Sequence, residues 1–168
     1  MNKLTKVATT LLILTTIFSN SLVCNADQPF SKEEIDQMIV NACEEKNICP
    51  ELVESIVFYE SSYDIFARNS EQYGLMQVNP KWHSDRMEKL GVKDLYDPEQ
   101  NLKVGIDYIY ELSLKYNDPV SVLNAYNSGS PKFHMSSYAK KILERSAELE
   151  AEREEVYENG ETISNSFG

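Results

Sequence analysis

The chain has 168 residues, of which 42% are hydrophobic and 26% are charged, a balance typical of one globular domain with its own core. Its formal net charge is −11. An acidic chain without a basic patch lacks the cationic field that phosphate backbones require, so we expect no nucleic-acid partner.

Residues 1–26 have the features of a secretory signal peptide. Lys3 and Lys6 form a short basic region, and an apolar stretch follows over residues 7–18. Cys24 and Ala26 then place small residues at the −3 and −1 positions of a cleavage site. The apolar stretch is shorter than the ~20 residues that a spanning helix needs. We therefore favour cleavage and secretion, with an uncleaved N-terminal anchor as the alternative.

Two cysteines, Cys43 and Cys49, follow the predicted cleavage site. Export and their short separation permit a disulfide, while two free, half-buried thiols fit the sequence equally well. The other soft metal ligands are His83 and His134, which lack the spacing of a zinc site, so no metal is expected.

Helical patterns and cap signals cover most of the remaining chain. Ser31 and Glu34 form a capping box that opens a helix to about residue 45, and Pro50 suits the first turn of a second helix. Residues 64–79 contain Gly74 and read as a shaped loop, with room for a small hairpin before Gln77.

The second half of the chain predicts four more helices. The first is short and runs from Pro80 to Leu90, with Gly91 at its C-cap. Asp-Pro pairs at residues 97–98 and 118–119 open the next two, which end near residues 116 and 129. The last helix is expected over residues 137–158, with Asn159-Gly160 as its stop.

The last predicted helix changes character along its length. After residue 143 it becomes strongly acidic, with Arg145 and Arg153 as its basic residues before residue 158. We therefore expect the domain to span residues 27–143, residues 144–168 to form a solvated acidic helical extension, and residues 161–168 to be a disordered tail.

Glu60 lies on an apolar helical face between Ile56 and Val57, whereas Glu51 and Glu54 point away as solvated acids would. A carboxylate on an apolar surface costs several kcal/mol unless it is paired or protonated. No cation lies within a helical turn of Glu60, which disfavours a buried ion pair. Its position near the helix C-terminus further raises the expected pKa. Glu60 is therefore a candidate general acid.

Three further patterns occur in order along the chain. They are Glu60-Ser61-Ser62-Tyr63, Gly74-Leu75-Met76-Gln77 and Ala125-Tyr126-Asn127-Ser128-Gly129, with Asn101-Leu102, Gly105 and Tyr108 between the last two. Together they resemble the lytic transglycosylase domain of the soluble type, which is related to goose-type lysozymes. The likeness runs from about residue 35 to residue 138.

The resemblance implies a mainly α, lysozyme-like single domain that cleaves the β-1,4 bond between N-acetylmuramic acid and N-acetylglucosamine in peptidoglycan. It makes Glu60 the catalytic acid/base and places Ser61, Met76, Gln77, Tyr126 and Asn127 at the substrate. No cofactor or metal is implied. The expected partner is the glycan strand, and we expect a monomer in the cell wall without a stable membrane partner.

Some of these residues have other interpretations when taken alone. Met76 could equally pack in the core, Asn127 could equally cap a helix, and Tyr126 could be a core aromatic. We interpret Trp82 and His83 as structural.

The reaction itself has two candidate outcomes. Hydrolysis by inversion needs a second carboxylate ~6.5–9.5 Å from the acid. Goose-type lysozymes tend to carry an acid where this chain has Asn79, and Asp64 and Asp85 are the remaining candidates. We therefore expect a 1,6-anhydro product, formed with Glu60 as the single acid/base. A hydrolytic muramidase is the alternative, and an inactive wall-binding module is a weaker one.

Overall fold

A computed structural model describes the backbone of residues 29–165 and the side chains of residues 29–157. Within that range the chain forms six α-helices and one two-stranded hairpin, which confirms the expected mainly α fold with a small hairpin. The predicted signal peptide lies outside the described residues. No helix in the described range has the length and apolar character needed to cross a membrane.

The elements follow one another with short connections. In chain order they are α1 (Lys32–Glu44), α2 (Pro50–Ser61), β1 (Arg68–Asn69), β2 (Gln72–Tyr73), α3 (Ser84–Leu90), α4 (Pro98–Lys115), α5 (Pro119–Ser128) and α6 (Ser137–Asn165). The hairpin pairs β1 with β2 in antiparallel register.

The predicted caps open their helices. At α1, the Ser31 hydroxyl accepts from the Glu34 N–H at 3.2 Å, and the Glu34 carboxylate accepts from the Ser31 N–H at 2.8 Å. Asp97 and Asp118 each accept from the backbone N–H three residues later, at 3.0 and 2.8 Å. These bonds satisfy N–H groups that have no partner inside the helix, so short local signals suffice to set the starts.

Two predicted helix ends differ from the structure. α3 begins at Ser84 and not at Pro80, because the Asn79 carbonyl accepts from the N–H groups of residues 82 and 83 and forms a separate turn. α6 continues through Gly160 to Asn165, so the predicted stop at residues 159–160 is wrong, while the disorder of residues 161–168 stays a prediction. A glycine costs a helix interior about 1 kcal/mol and does not forbid it.

Five of the six described helices, all except α3, close into a ring around one core. α2 packs most extensively against α6 and also contacts α1, α4 packs against α1 and α5, and α5 packs against α6. Fully buried side chains from these five helices meet in the centre, among them Ile39, Ile56, Ile109, Leu123 and Ile142. The last turn of α2, which carries Glu60, is therefore held by helices on both sides.

Glu54 is not a solvated acid, contrary to the prediction. Its side chain is only 1% exposed, and Arg153 of α6 pairs with both Glu54 and Glu51. Burial raises the pKa of Glu54, with the Arg153 guanidinium opposing that rise. The partner lies 99 residues away in sequence, so no local pattern predicts the pair.

The acidic part of α6 contacts the domain on one side. Arg145 lies 3.8 Å from the ring centre of Phe58, and Arg153 reaches α2, while residues 154–157 are exposed. The predicted extension therefore docks on α2 over part of its length. The domain boundary at residue 143 stays a prediction.

The two described cysteines are both free thiols. Cys43 is fully buried, and burial raises the pKa of its thiol to about 12. Cys49 is exposed, and its Sγ donates to the Glu51 carboxylate at 3.0 Å.

Candidate active site

A cleft of about 470 Å³ opens beside the end of α2. It brings together five of the residues predicted from sequence, namely Glu60, Met76, Gln77, Tyr126 and Asn127. The remainder of its wall comes from the hairpin, the turn before α3, and helices α3, α4 and α5: Asn69, Gln72, Val78, Asn79, Trp82, His83, Arg86, Gly105, Tyr108, Glu111 and Gly129.

Glu60 sits in the last turn of α2 with its side chain partly buried. Its Oε1 accepts a hydrogen bond from the Tyr138 hydroxyl at 2.6 Å. Burial raises the pKa of Glu60, and this effect outweighs the Tyr138 hydrogen bond and the nearby charge of Lys141, which lower it. Glu60 thus has the raised pKa expected of a general acid.

Tyr138 belongs to the core and also bonds directly to Glu60, a role that no sequence pattern predicted. It lies in the first turn of α6, nearly buried, and burial together with the Glu60 charge raises the pKa of its phenol. The hydroxyl therefore stays protonated and donates. Because it donates to Oε1, Oε2 is the oxygen that can carry the proton of Glu60. The two residues lie 78 positions apart, which explains why no spacing revealed the contact.

The Gly74–Gln77 loop is pinned to α4 by one buried amide. The Nδ2 of Asn101 donates to the carbonyls of Tyr73 and Leu95, and its Oδ1 accepts from the Met76 N–H, each at 2.8 Å. Gly74 has φ +70°, and a Cβ there would come within 2.3 Å of the Leu95 carbonyl oxygen. The loop therefore requires glycine at this position for both conformation and space.

Met76 forms the floor of the cleft and also belongs to the core. Its side chain is almost fully buried, and a Cβ on Gly105 would lie 2.3 Å from its Sδ. The Tyr126 hydroxyl donates to the Met76 carbonyl at 2.8 Å. Tyr126 thus fixes the floor of the cleft, and its own pKa is raised by burial and by the charge of Glu60.

Of the two other polar residues predicted near Glu60, Gln77 lies in the cleft wall and Ser61 does not. The Gln77 side-chain amide donates to the carbonyls of Ala67 and Gly74, at 3.2 and 2.9 Å, and its Oε1 is left to accept from a ligand. Ser61 donates to the Val57 carbonyl at 3.0 Å within α2 and is not part of the cleft wall.

Asn127 is exposed on the cleft wall in the last turn of α5. It does not serve as the C-cap of that helix, because Gly129 takes that position with φ +70°. Its amide side chain is therefore available to a ligand in the cleft.

One side of the cleft is aromatic. The ring of His83 meets Tyr108 edge-on at 4.7 Å, and Tyr108 lies 5.7 Å from Tyr126. Trp82 also lines the cleft and is 74% exposed, so its interpretation as a structural residue is wrong. His83 keeps a packing role, and its pKa is lowered by burial and by Arg86.

Charged groups are few in the described cleft wall. Besides Glu60 they are Arg86 and Glu111, which pair with each other. Arg86 also pairs with Asp107 at 3.0 Å, and Lys46 reaches the same carboxylate at 3.1 Å. Glu111 is therefore ion-paired, and Glu60 is the carboxylate in this wall that has no cation bound to it.

The two acids considered as a catalytic base lie outside the cleft wall. Asp64 accepts from the Phe66 N–H at 2.8 Å in the turn after α2. Asp85 is exposed on α3 and accepts from the Ser84 hydroxyl at 3.2 Å. The hydrogen bonds that Asp64 and Asp85 accept do not bring either carboxylate beside Glu60.

Comparison with known families identifies the domain. The profile described as Transglycosylase SLT domain matches residues 37–146, which is more than half of the chain. The chain belongs to the transglycosylase SLT domain family, and the resemblance predicted from the three motifs is confirmed.

Two relatives show how far the likeness reaches. The membrane-bound lytic murein transglycosylase E of Buchnera aphidicola subsp. Acyrthosiphon pisum is 29% identical over 89 residues, which are 48% of this chain and 40% of that protein. The X-ray structure of an inactive mutant of the lytic transglycosylase Slt from Pseudomonas aeruginosa matches 70% of this chain and 24% of that chain, with a TM-score of 0.58 and 18% identity. This match confirms the lysozyme-like fold. The chain spans less than half the length of either relative.

Proposed function

We propose that this protein is a secreted peptidoglycan lytic transglycosylase that uses Glu60 as its single acid/base and releases 1,6-anhydro-N-acetylmuramic acid ends. The observation that carries the proposal is Glu60 itself, a partly buried carboxyl group with a raised pKa that lines a cleft of about 470 Å³ and is bonded to Tyr138. The relatives named as lytic transglycosylases support the same reaction class.

The first step is protonation of the leaving oxygen. A glycosidic oxygen is a poor leaving group until it is protonated, so a carboxylic acid that keeps its proton towards neutral pH is needed. In this site the proton leaves Oε2 of Glu60 for O4 of N-acetylglucosamine as the C1–O4 bond breaks. The charge that forms on the carboxylate is stabilised by the Tyr138 hydroxyl, which already donates to Oε1.

The second step closes the anhydro ring. The acetamido group of the substrate stabilises the cationic C1 centre. Glu60, now a base, takes the proton from the C6 hydroxyl, and the C1–O6 bond forms. No water is consumed, and Glu60 recovers the proton it gave away, so one carboxyl group completes the cycle.

The hydrolytic alternative lacks a placed base in the described cleft wall. Inversion needs a second carboxylate ~6.5–9.5 Å from the acid to activate water. Glu111 is the other acid in this wall, and it is ion-paired with Arg86. The anhydro product is therefore the outcome that this geometry favours. A purely wall-binding module would have no use for a carboxyl group held at a raised pKa.

The location of the protein follows from the same proposal. The substrate lies outside the cytoplasmic membrane, which agrees with the signal-like pattern of residues 1–26. We propose a cell-wall-associated monomer without a stable membrane partner, and an uncleaved N-terminal anchor is the alternative.

Glu60→Gln tests the assignment of the acid/base. The change is near-isosteric and removes the titrating group, so release of soluble fragments from purified peptidoglycan should be lost. Glu88→Gln, which removes an exposed carboxylate of α3 outside the cleft, is the matched control and should keep wild-type activity. Appreciable residual cleavage by Glu60→Gln would remove this residue from the acid/base role.

The stability of the same variant has a predicted sign. The folded state raises the pKa of Glu60 above its value in the unfolded chain. The contribution of Glu60 to the free energy of unfolding is therefore fully present at pH values below its pKa in the unfolded chain, and it is lost as the pH rises through its pKa in the folded state. Glu60→Gln should therefore equal the wild type in thermal midpoint at acidic pH and exceed it at neutral pH. Differential scanning calorimetry across this range measures the difference.

A further inference from the structure

Trp82 is the large apolar side chain that the cleft wall exposes most. It is 74% exposed and lines the cleft, whereas Phe133, which is 89% exposed, does not. An exposed tryptophan gains nothing from the core, and the catalytic steps above make no use of it. Its position in a concave site points to a ligand.

The indole is carried on a rigid support. The Asn79 side chain accepts from the Lys81 N–H at 3.0 Å, and the Asn79 carbonyl accepts from the N–H groups of Trp82 and His83, at 3.2 and 3.1 Å. The ring of His83 is in turn held edge-on against Tyr108 at 4.7 Å. The backbone beneath Trp82 is therefore already ordered, so a ligand that binds there loses little free energy to ordering it.

Charge cannot supply the affinity of this cleft for a wall polymer. The chain has a formal net charge of −11, and Arg86, the cation of the described cleft wall, is already paired with Asp107 and Glu111. Attraction must then come from hydrogen bonds and from apolar contact. The aromatic wall formed by Trp82, His83, Tyr108 and Tyr126 supplies the second of these.

We propose that Trp82 is a sugar-stacking platform at the cleft, which binds the apolar C–H face of one pyranose ring of the glycan strand and sets the affinity for longer strands. The face of an aromatic ring is electron-rich, and the axial C–H groups of a β-linked pyranose are polarised positively, so the two faces attract. The inference rests on the proposed function for its substrate class, an N-acetylated β-1,4-linked glycan.

The inference assigns Trp82 to binding and not to chemistry. Among the described residues Trp82 has no hydrogen bond or ring contact to Glu60 or Tyr138, and stacking moves no proton, so we expect it to hold the ground state and the transition state equally. Losing it should raise KM and leave kcat unchanged. Because the contact is apolar, the rise in KM caused by its loss should be the same at low and high salt.

The chain contains one tryptophan, so tryptophan fluorescence, excited selectively over that of the ten tyrosines, reports on this position alone. Turnover is removed in the Glu60→Gln protein. In this variant, N-acetylglucosamine oligomers of increasing length should shift the tryptophan emission to shorter wavelength, and the shift should saturate with oligomer concentration. Titration calorimetry on the same samples measures binding independently. Oligomers that bind without an emission change, or that do not bind at all, would overturn the proposal. So would an emission change produced by a free stem peptide in place of the sugar.

Variants on the otherwise wild-type chain complete the test. Trp82→Ala should raise KM for isolated glycan strands about tenfold, as expected for loss of a tryptophan anchor, while Trp82→Phe keeps part of the affinity. Phe133→Ala is the matched control, since it removes an exposed aromatic outside the cleft wall, and should leave KM unchanged. A fall in kcat with unchanged KM in Trp82→Ala would overturn the platform role. Failure of the wild type to cleave glycan would contradict the proposed function. The binding of oligomers would still test the role of Trp82 in that case.

Discussion

Tyr138→Phe is the variant that separates the reactive group from its surroundings. The ring remains, so packing at the start of α6 is kept, and only the hydroxyl that donates to Oε1 of Glu60 at 2.6 Å is lost. That bond favours the carboxylate over the acid and so opposes the effect of burial on the pKa of Glu60. Without it, the pKa of Glu60 rises further above its ordinary value.

The size of the effect follows from the kind of bond. A hydrogen bond to a charged acceptor contributes about 1.5–3 kcal/mol. It is at full strength only after Glu60 has given up its proton, so most of that energy belongs to the transition state. At 1.36 kcal/mol for each factor of ten, kcat/KM should fall about ten- to a hundredfold.

The assay is the pH dependence of kcat/KM on soluble glycan strands. Activity needs the acid form of Glu60 and declines on the alkaline side, and Tyr138→Phe should move that decline to higher pH. Tyr116→Phe removes a tyrosine hydroxyl outside the cleft wall and should change neither the rate nor the profile. A slower variant with an unshifted profile would refute the direct bond, and an unchanged rate would return Tyr138 to a packing role.

Three other variants have defined outcomes. Tyr126→Phe leaves the Met76 carbonyl without its partner, so turnover should fall, with a loss of about 1–3 kcal/mol in urea unfolding; unchanged activity would mean that Tyr126 only packs. Asn101→Ala removes the three hydrogen bonds of a buried amide and should cost about 2–4 kcal/mol and most of the activity; an intact cleft in that variant would contradict the pinning of the loop. Arg153→Met leaves Glu54 buried without its cation and should cost about 1–3 kcal/mol at neutral pH, less as pH falls and Glu54 takes up a proton; a pH-independent loss would argue against the pair.

Local signals predicted much of this fold. Helix starts follow from Ser31, Asp97 and Asp118, whose side chains bond to backbone groups a few residues away, and such bonds are visible in a sequence. Glu60 was predicted to be a general acid from local sequence too. The helical period of 3.6 residues places its carboxyl group on an otherwise apolar face, where an acid is unusual.

The contacts that sequence reasoning missed are all long-range or solvent-facing. The pair between Glu54 and Arg153 joins residues 99 positions apart, and the bond between Glu60 and Tyr138 joins residues 78 apart. Periodicity sorts side chains onto faces and does not say which distant face they meet. Trp82 was missed because it lies in a turn without helical periodicity, where exposure depends on the surrounding cleft.

The most direct test of the single acid/base is the mass of the products released from purified peptidoglycan. If Glu60 acts without a base for water, the muropeptides should end in 1,6-anhydro-N-acetylmuramic acid and weigh one water, about 18 Da, less than hydrolytic products, as expected where the two-carboxylate geometry of inversion is lacking. Glu60→Gln should release neither form. Reducing-end products from the wild type would contradict the account and would mean that another group, with Glu111 the first to replace, activates water in this cleft.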